Sequence, residues 1–328
     1  MENNILQIKN LNVKFESDNG KINAVRNVSF NIREGKTLGL VGESGCGKSV
    51  TTKTILRLHD EKSSVINGEI IYNGSNILKA KYEQLASIRG NDISMIFQDP
   101  MTSLNPLIKV GKQVDEVILS HEKTSHKQAK EKTIKLFEKV GITSPAERYN
   151  QYPHEFSGGM QQRIMIAMAL ACEPRLLLAD EPTTALDVTI QAQVLRLMKK
   201  LQIENSMAIL MITHDLGVVA EICDDVAVMY AGEIVESSDV RTILKNPCHP
   251  YTMGLMAAMP KLGSGNKRLE IIDGLPPMLT AENLVGCPFA PRCKKCIDKC
   301  FKETPVPCEV EKGHIVSCHL VRGGAANE

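Results

Sequence analysis

The 328-residue sequence carries 39 Lys and Arg against 38 Asp and Glu, a net charge of +1, with 43% hydrophobic and 23% charged residues. That balance belongs to a folded globular chain of about two domains; it excludes a disordered chain and offers no bulk charge for a nucleic-acid binder. No run approaches the ~18 apolar residues of a membrane span, and the opening MENNILQIKN lacks the basic and apolar regions of a signal peptide, so the chain is expected in the cytosol unless a membrane partner holds it.

In chain order, residues 5–15 and 22–32 read as strands separated by the turn signal SDNG, and residues 37–41 as a short apolar strand running into a Gly-rich loop. A helix is expected from residue 49 to 58. Residues 93–106 join strand-like to helical parts, and spaced apolar positions predict helices over 114–119, 129–140 and 161–171. Residues 176–179 form a continuous apolar run ahead of two acids, the mark of a buried parallel strand. A helix over 190–203, a buried strand over 208–212 and a helix over 216–222 follow. Strands alternating with helices predict an α/β fold on a parallel sheet. Nine of the fifteen prolines fall after residue 246, so the last quarter reads as a loop-rich extension.

The segment Gly42-Glu-Ser-Gly-Cys-Gly-Lys48-Ser49 fits G-x-x-x-x-G-K-[ST] between a predicted strand and a predicted helix, the context of a P-loop. Glycines let backbone N–H groups wrap phosphates, and a helix N-terminus favours anions. Lys48 is expected to reach the β- and γ-phosphates and the Ser49 hydroxyl to ligate Mg2+. Gly42, Ser44, Gly45, Cys46, Gly47 and Val50 complete the expected cradle. At the end of the strand over 176–179, Asp180 is placed to hold Mg2+ and Glu181 to polarise an attacking water as general base.

With these two motifs in hand, the sequence resembles the ATP-binding subunits of ABC transporters. Phe156-Ser157-Gly158-Gly159-Met160-Gln161 is similar to the family signature, with Met160 in place of the common Gln. Ser157 and the glycines are expected to start a helix at Gln161 whose N-terminus presents N–H groups to a γ-phosphate. The resemblance implies that Ser157, Gly158 and Gly159 serve the ATP held by a second ATPase chain. It also implies that Gln98 senses Mg2+ and the γ-phosphate, that Ala185-Leu186-Asp187 lies at the dimer interface, and that His214 holds the γ-phosphate geometry. Phe15, upstream of the P-loop, matches the residue on which the family stacks adenine, and it reads equally as a core residue.

The segments IFQDPMTSLNP, QYPHEFSGGMQQR, DEPTTALDVTIQAQ and NPCHPYTMGL narrow the resemblance to the peptide/nickel importer group, in its D-type form. This implies a P-loop NTPase fold over residues 1–245 with a helical subdomain over about 100–175, and an importer-type extension over 246–328. It implies a different F-type ATPase partner, two membrane permease subunits, an extracytoplasmic solute-binding protein, no nucleic acid, and a peripheral place on the cytoplasmic face of the membrane. Nickel or another small solute is the alternative cargo, and a soluble ABC ATPase or a cassette that binds ATP without hydrolysing it are further alternatives.

Six of the ten cysteines crowd into residues 287–318. In a reducing compartment such a cluster points to a metal site before disulfides. Cys287, Cys293, Cys300 and Cys318 suit iron–sulfur or zinc equally by ligand count. The resemblance favours a [4Fe–4S] cluster with a structural role, and leaves zinc as the alternative. Cys296 is close enough to substitute, Cys308 is extra, and His314 and His319 are possible ligands that are expected rather to face solvent.

Overall fold

A computed structural model describes residues 3–17, 20–184, 186–259, 272–277, 279 and 285–321. Two long strands open it, β1 (Asn4–Ser17) and β2 (Gly20–Arg33). On β1 the buried positions are Ile5, Leu6 and Ile8, then Leu11 and Val13. The parity changes because the register with the facing strand shifts between Lys9 and Asn12, where Asn10 takes φ 50°. One extra residue in a strand turns every later side chain to the other face, so the bulge keeps both halves of β1 on the core.

The buried strand β3 (Thr37–Val41) leads through the Gly-rich loop into α1 (Lys48–Ile55). β4 (Ser64–Tyr72) lies antiparallel on β1, and β5 (Ser75–Asn76) completes a four-stranded sheet of order β2-β1-β4-β5. Next come α2 (Tyr82–Ile88), β6 (Ile93–Ile96) and the helices α3 (Pro100–Ser103), α4 (Val110–His121), α5 (His126–Lys139), α6 (Pro145–Arg148) and α7 (Gly158–Ala169). They are followed by β7 (Leu176–Asp180), α8 (Val188–Glu204), β8 (Ala208–Thr213), α9 (Leu216–Ile222), β9 (Asp225–Tyr230) and β10 (Glu233–Asp239). The chain continues with α10 (Val240–Lys245), α11 (Pro250–Ala257), α12 (Asp298–Lys302) and the hairpin β11 (Cys308–Glu311) and β12 (His314–Val316).

Residue contacts divide the chain into two units. The first comprises residues 1–5, 33–36 and 79–212. In it β6, β7 and β8 pair in parallel, and every residue of β7 and β8 is buried, which is why these strands read as unbroken apolar runs. Its helical part holds one buried polar knot. The Asp115 carboxylate accepts from the hydroxyls of Thr133, at 2.8 Å, and of Tyr149. Gly111 leaves the space for the Tyr149 ring; a Cβ there would fall 2.1 Å from it. Burial and the adjoining Asp115 push the Tyr149 hydroxyl well above its ordinary pKa, so it stays a donor.

The second unit comprises residues 6–32, 37–78 and 213–328. Here β3 and β9 pair in parallel, with the Thr37 N–H donating to Asp224 at 2.9 Å. β10 folds back on β9 through Ala231 and Gly232, both at positive φ as a two-residue hairpin requires. β12 then adds to β10, and β11 to β12. The last quarter is therefore less loop-like than its prolines suggest: its described residues include two helices, and its hairpin joins the edge of a sheet. Among the described residues no helix is long and apolar enough to cross a membrane.

Candidate nucleotide-binding site

In the second unit the strand–loop–helix of the P-loop is formed as its spacing requires. Two glycines are sterically obligatory. A Cβ on Gly42 would lie 2.1 Å from the Met229 carbonyl oxygen, and one on Gly47, at φ +106°, would lie 2.4 Å from that of Ala24. The loop thus winds against two neighbouring backbones. α1 starts at Lys48 with Gly47 as its cap and no acid in its first turn, which leaves its positive end suited to an anion. Lys48 is buried, and its Nζ donates to the carbonyls of Gly42 and Glu43, each at 2.8 Å. Ser44 and Gly45 are exposed, Ser49 and Val50 half-buried. Cys46 is buried beside Lys48; burial raises its thiol pKa despite the ammonium, so it rests as a neutral thiol.

Phe15 is half-buried on β1 and meets His59 edge-on at 5.1 Å. The His59 ring also contacts the Thr54 hydroxyl and the Val50 carbonyl of α1, and burial lowers its pKa. Phe15 is therefore neither a core residue nor fully free, and it stands over the helix that the P-loop begins. His214 is exposed just beyond β8.

In the first unit Asp180 closes β7 and is 2% exposed. Glu181 follows at φ 48°, a left-handed conformation that costs a non-glycine residue about 1–3 kcal/mol. Its N–H donates to the Ile212 carbonyl at 3.0 Å. Its Oε2 accepts from Gln98 Nε2 at 3.1 Å and from the Thr184 hydroxyl at 2.9 Å. The strained backbone and these two donors fix one carboxylate orientation.

Also in the first unit, α7 begins at Gly158, three residues earlier than the expected Gln161. Ser157 takes the extended conformation of a cap (φ −67°, ψ 158°), and its carbonyl accepts from the N–H groups of Met160 and Gln161 at 2.9 Å. Only one of the helix's two glycines has to be small: a Cβ on Gly159 would strike Ile190 at 2.7 Å, while Gly158 faces open space. Asp187 caps α8, accepting the Ile190 N–H at 2.9 Å. Ala185 lies outside the described residues.

Cys300 is buried and adds to the rise that burial gives the thiol pKa of Cys287, Cys293, Cys296 and Cys318. Burial pushes Cys287 up to about 11, with Cys300 and Cys318 adding to the rise. Cys293 and Cys318 are raised by burial, again with Cys300 adding. The Cys287 N–H donates to the Cys300 carbonyl at 2.7 Å, a crossing that needs Gly286, where a Cβ would sit 2.3 Å from that oxygen. A single zinc with bonds of ~2.3 Å would draw its sulfurs to about 3.8 Å of one another. Among the described residues only Glu236, Cys248 and His314 bring three ligand-type atoms within 4.8 Å.

That trio is held by hydrogen bonds. Glu236, wholly buried on β10, accepts from the N–H groups of Cys248 (2.7 Å) and His249 (3.0 Å) and meets His314 Nε2 at 2.8 Å. His314 is 2% exposed, which corrects the expectation that it faces solvent: pairing of β12 with β10 turns its ring onto Glu236. His319 is half-buried and meets the Glu303 carbonyl at 2.8 Å.

One contact has no signal in the sequence. Arg292, between Cys287 and Cys300, makes a bidentate pair with Glu43 of the P-loop at 2.7 and 3.0 Å. Both residue types read as ordinary surface charges.

A family model described as ABC transporter matches residues 25–184, and one described as oligopeptide/dipeptide transporter, C-terminal region, matches 235–300. The chain is 48% identical over 317 residues to the dipeptide transport ATP-binding protein DppD of Bacillus subtilis, covering 96% of this chain and 94% of that one. It is 49% identical over 323 residues to the oligopeptide transport ATP-binding protein OppD of the same organism, covering 98% and 90%. The dimeric post-hydrolysis structure of the ATP-binding cassette MJ0796 bound to ADP and Pi matches with TM-score 0.65 at 27% identity, over 72% of this chain and 99% of that one.

Proposed function

Because the chain belongs to the ABC transporter ATP-binding family, in the branch that carries the oligopeptide/dipeptide C-terminal region, we propose that it is the ATP-hydrolysing subunit that drives peptide uptake. The observation that carries this reading is the 48–49% identity to peptide transport ATP-binding proteins along almost the whole chain. Nickel as cargo has no comparable support.

In this reading Lys48 and the N–H groups from Ser44 to Val50 bind the phosphates of ATP, and Phe15 stacks on the base. Ser49, Gln98 and Asp180 would hold Mg2+, which when bound neutralises charge on the β- and γ-oxygens. Glu181 orients the attacking water and takes its proton, while His214 steadies the γ-phosphate end. Ser157, Gly158 and Gly159 serve the ATP of a second ATPase chain of the F type, with Asp187 at the interface between the two. Binding that favours the closed pair shifts the equilibrium by its differential affinity, and the stretch from Gln98 to Asn105 passes the movement to two permease subunits. A solute-binding protein delivers the peptide outside, and the chain lies on the cytoplasmic face of the membrane. Residues 1–245 act as the ATPase domain, with its helical subdomain, and 246–328 as the extension.

Cys287, Cys293, Cys300 and Cys318 would hold a [4Fe–4S] cluster, which supplies a cross-link to a segment of small core. That choice rests on the four thiol ligands and on the importer-type resemblance of the segment, whose residues up to 300 match the oligopeptide/dipeptide transporter C-terminal region. The test of the function is uptake of labelled dipeptides, longer peptides and nickel in cells carrying the chain or its Glu181→Gln form, with permease and binding protein present and related importers deleted. Loss of peptide uptake alone supports the proposal; loss of nickel uptake alone overturns it.

A further inference from the structure

Glu43 occupies the second position of the P-loop and is held at every polar group. Its N–H donates to the Tyr251 hydroxyl at 2.9 Å, its carbonyl accepts from Lys48 Nζ at 2.8 Å, and its two carboxylate oxygens accept from Arg292. Tyr251 and Arg292 belong to the C-terminal quarter of the chain.

Arg292 has five N–H donors in a rigid fork, and the structure gives each direction an acceptor. Nη1 donates to Glu43 Oε2 and the Tyr230 hydroxyl at 3.2 Å. Nη2 donates to Glu43 Oε1 and the Ile272 carbonyl at 3.4 Å, and Nε to the Asp273 carbonyl at 3.0 Å. The side chain is 6% exposed, so solvent screens the pair little. The rings of Tyr230, Tyr251 and Phe289 pack with centroids 4.6–5.4 Å apart and fix the acceptors. A flexible surface charge would have none of this. Arg292 is also the residue before Cys293, so its place depends on the fold of the cysteine-rich segment.

We propose that Arg292 is a positioning residue of the nucleotide site: it holds Glu43, and through Glu43 the P-loop and Lys48, so that ATP affinity is tied to the folded state of the cysteine-rich segment. This rests on the reading of residues 42–49 as the ATP-binding loop. The coupling is reciprocal by linkage: nucleotide bound at the P-loop stabilises the segment that supplies Arg292. Lysine cannot replace Arg292, because a single ammonium cannot serve the two carboxylate oxygens and three further acceptors in one plane.

The test measures binding of a fluorescent (methylanthraniloyl) ATP to the full chain. Arg292→Lys, Arg292→Gln and Glu43→Gln are each expected to weaken it about tenfold, and the double variant Arg292→Gln/Glu43→Gln no more than either alone. In turnover assays the loss falls on KM, with kcat held. Nucleotide is expected to slow amide hydrogen exchange over residues 286–321 in the native chain and not in Arg292→Lys. Lys294→Ala, an exposed neighbour, leaves binding unchanged. Native binding by Arg292→Lys, single losses that multiply in the double variant, or exchange that ignores nucleotide would each overturn the proposal. Lys48→Ala separates the two readings: if it binds like the native chain, the ATP-site reading itself fails, whereas loss there with native binding by Arg292→Lys removes only the clamp. Should Arg292→Gln fail to fold, Glu43→Gln, which leaves the cysteine-rich segment intact, still reads the same contact.

Discussion

The side-chain amide of Gln98 donates to the carboxylate of Glu181 across 3.1 Å, although 83 residues separate them. The Gln98 contact joins the start of the stretch proposed to meet the permease to the group proposed to activate water. A displacement of one is therefore felt at the other. Glu181→Gln is expected to lower ATP turnover about 10²–10⁴-fold with binding retained, because the amide cannot take a proton. Gln98→Ala, which removes a donor to the carboxylate, is expected to lower turnover about tenfold. Phosphate release and fluorescent-ATP binding on the same preparations check both.

Gly47→Ala is expected to abolish nucleotide binding without unfolding the chain. The added Cβ lies 2.4 Å from a backbone oxygen and the residue sits at φ +106°, so the loop must move away from Ala24. The backbone conformation alone costs alanine about 1–3 kcal/mol, and the loop relieves the added clash by moving, which spoils the cradle while the domain stays folded. Equilibrium binding beside a thermal melt distinguishes the two effects.

Acid is expected to destabilise the second unit through His249. The ring is 1% exposed and accepts the Tyr251 N–H at Nδ1, and burial lowers its pKa to about 4. Its unfolded pKa is about 6.5, so between these values the unfolded chain binds the extra proton. The contribution is whole above pH 6.5 and is lost as pH falls toward 4, about 2 kcal/mol by pH 5 at 1.36 kcal/mol per unit. Urea midpoints at pH 7 and pH 5 should differ more for the native chain than for His249→Asn, which keeps a side-chain acceptor and does not titrate.

Cys300→Ser is expected to remove bound iron or zinc and lower the melting temperature, since Cys300 is the buried member of the proposed quartet. Cys308→Ser, whose thiol donates to the Val316 carbonyl at 3.4 Å, should keep the metal. Elemental analysis of the purified proteins decides, and equal metal loss in both would reject the quartet.

Much of this molecule is legible before folding. Residues 37–41, 176–179 and 208–212 announce themselves because strands buried on both faces must be apolar throughout, and a Gly-rich loop between strand and helix has few other uses. β9 and β10 were less visible: their hairpin turns at Ala231-Gly232, and alanine at φ 47° is no turn signal. The strands β11 and β12 hide among prolines, since a three- or four-residue edge strand leaves almost no period to read. The helix start at Gly158 is hidden because glycine is a poor helix former; the close approach of Ile190 that requires the next glycine, Gly159, comes from a distant helix. The pairing of Arg292 with Glu43 joins positions 249 apart, and no local pattern encodes such a contact.

The contact between His314 and Glu236 spans 78 residues of sequence. Ribosomes add about 5–20 residues per second, so strand β10 is made about 4–16 s before its last donor exists. During that interval Glu236 has only the two backbone donors of Cys248 and His249, and the edge of β10 stands open until β12 arrives. The newborn chain therefore passes through a stage in which β10 is an open edge, and that edge is covered only when residues 314–316 are made and pair with it.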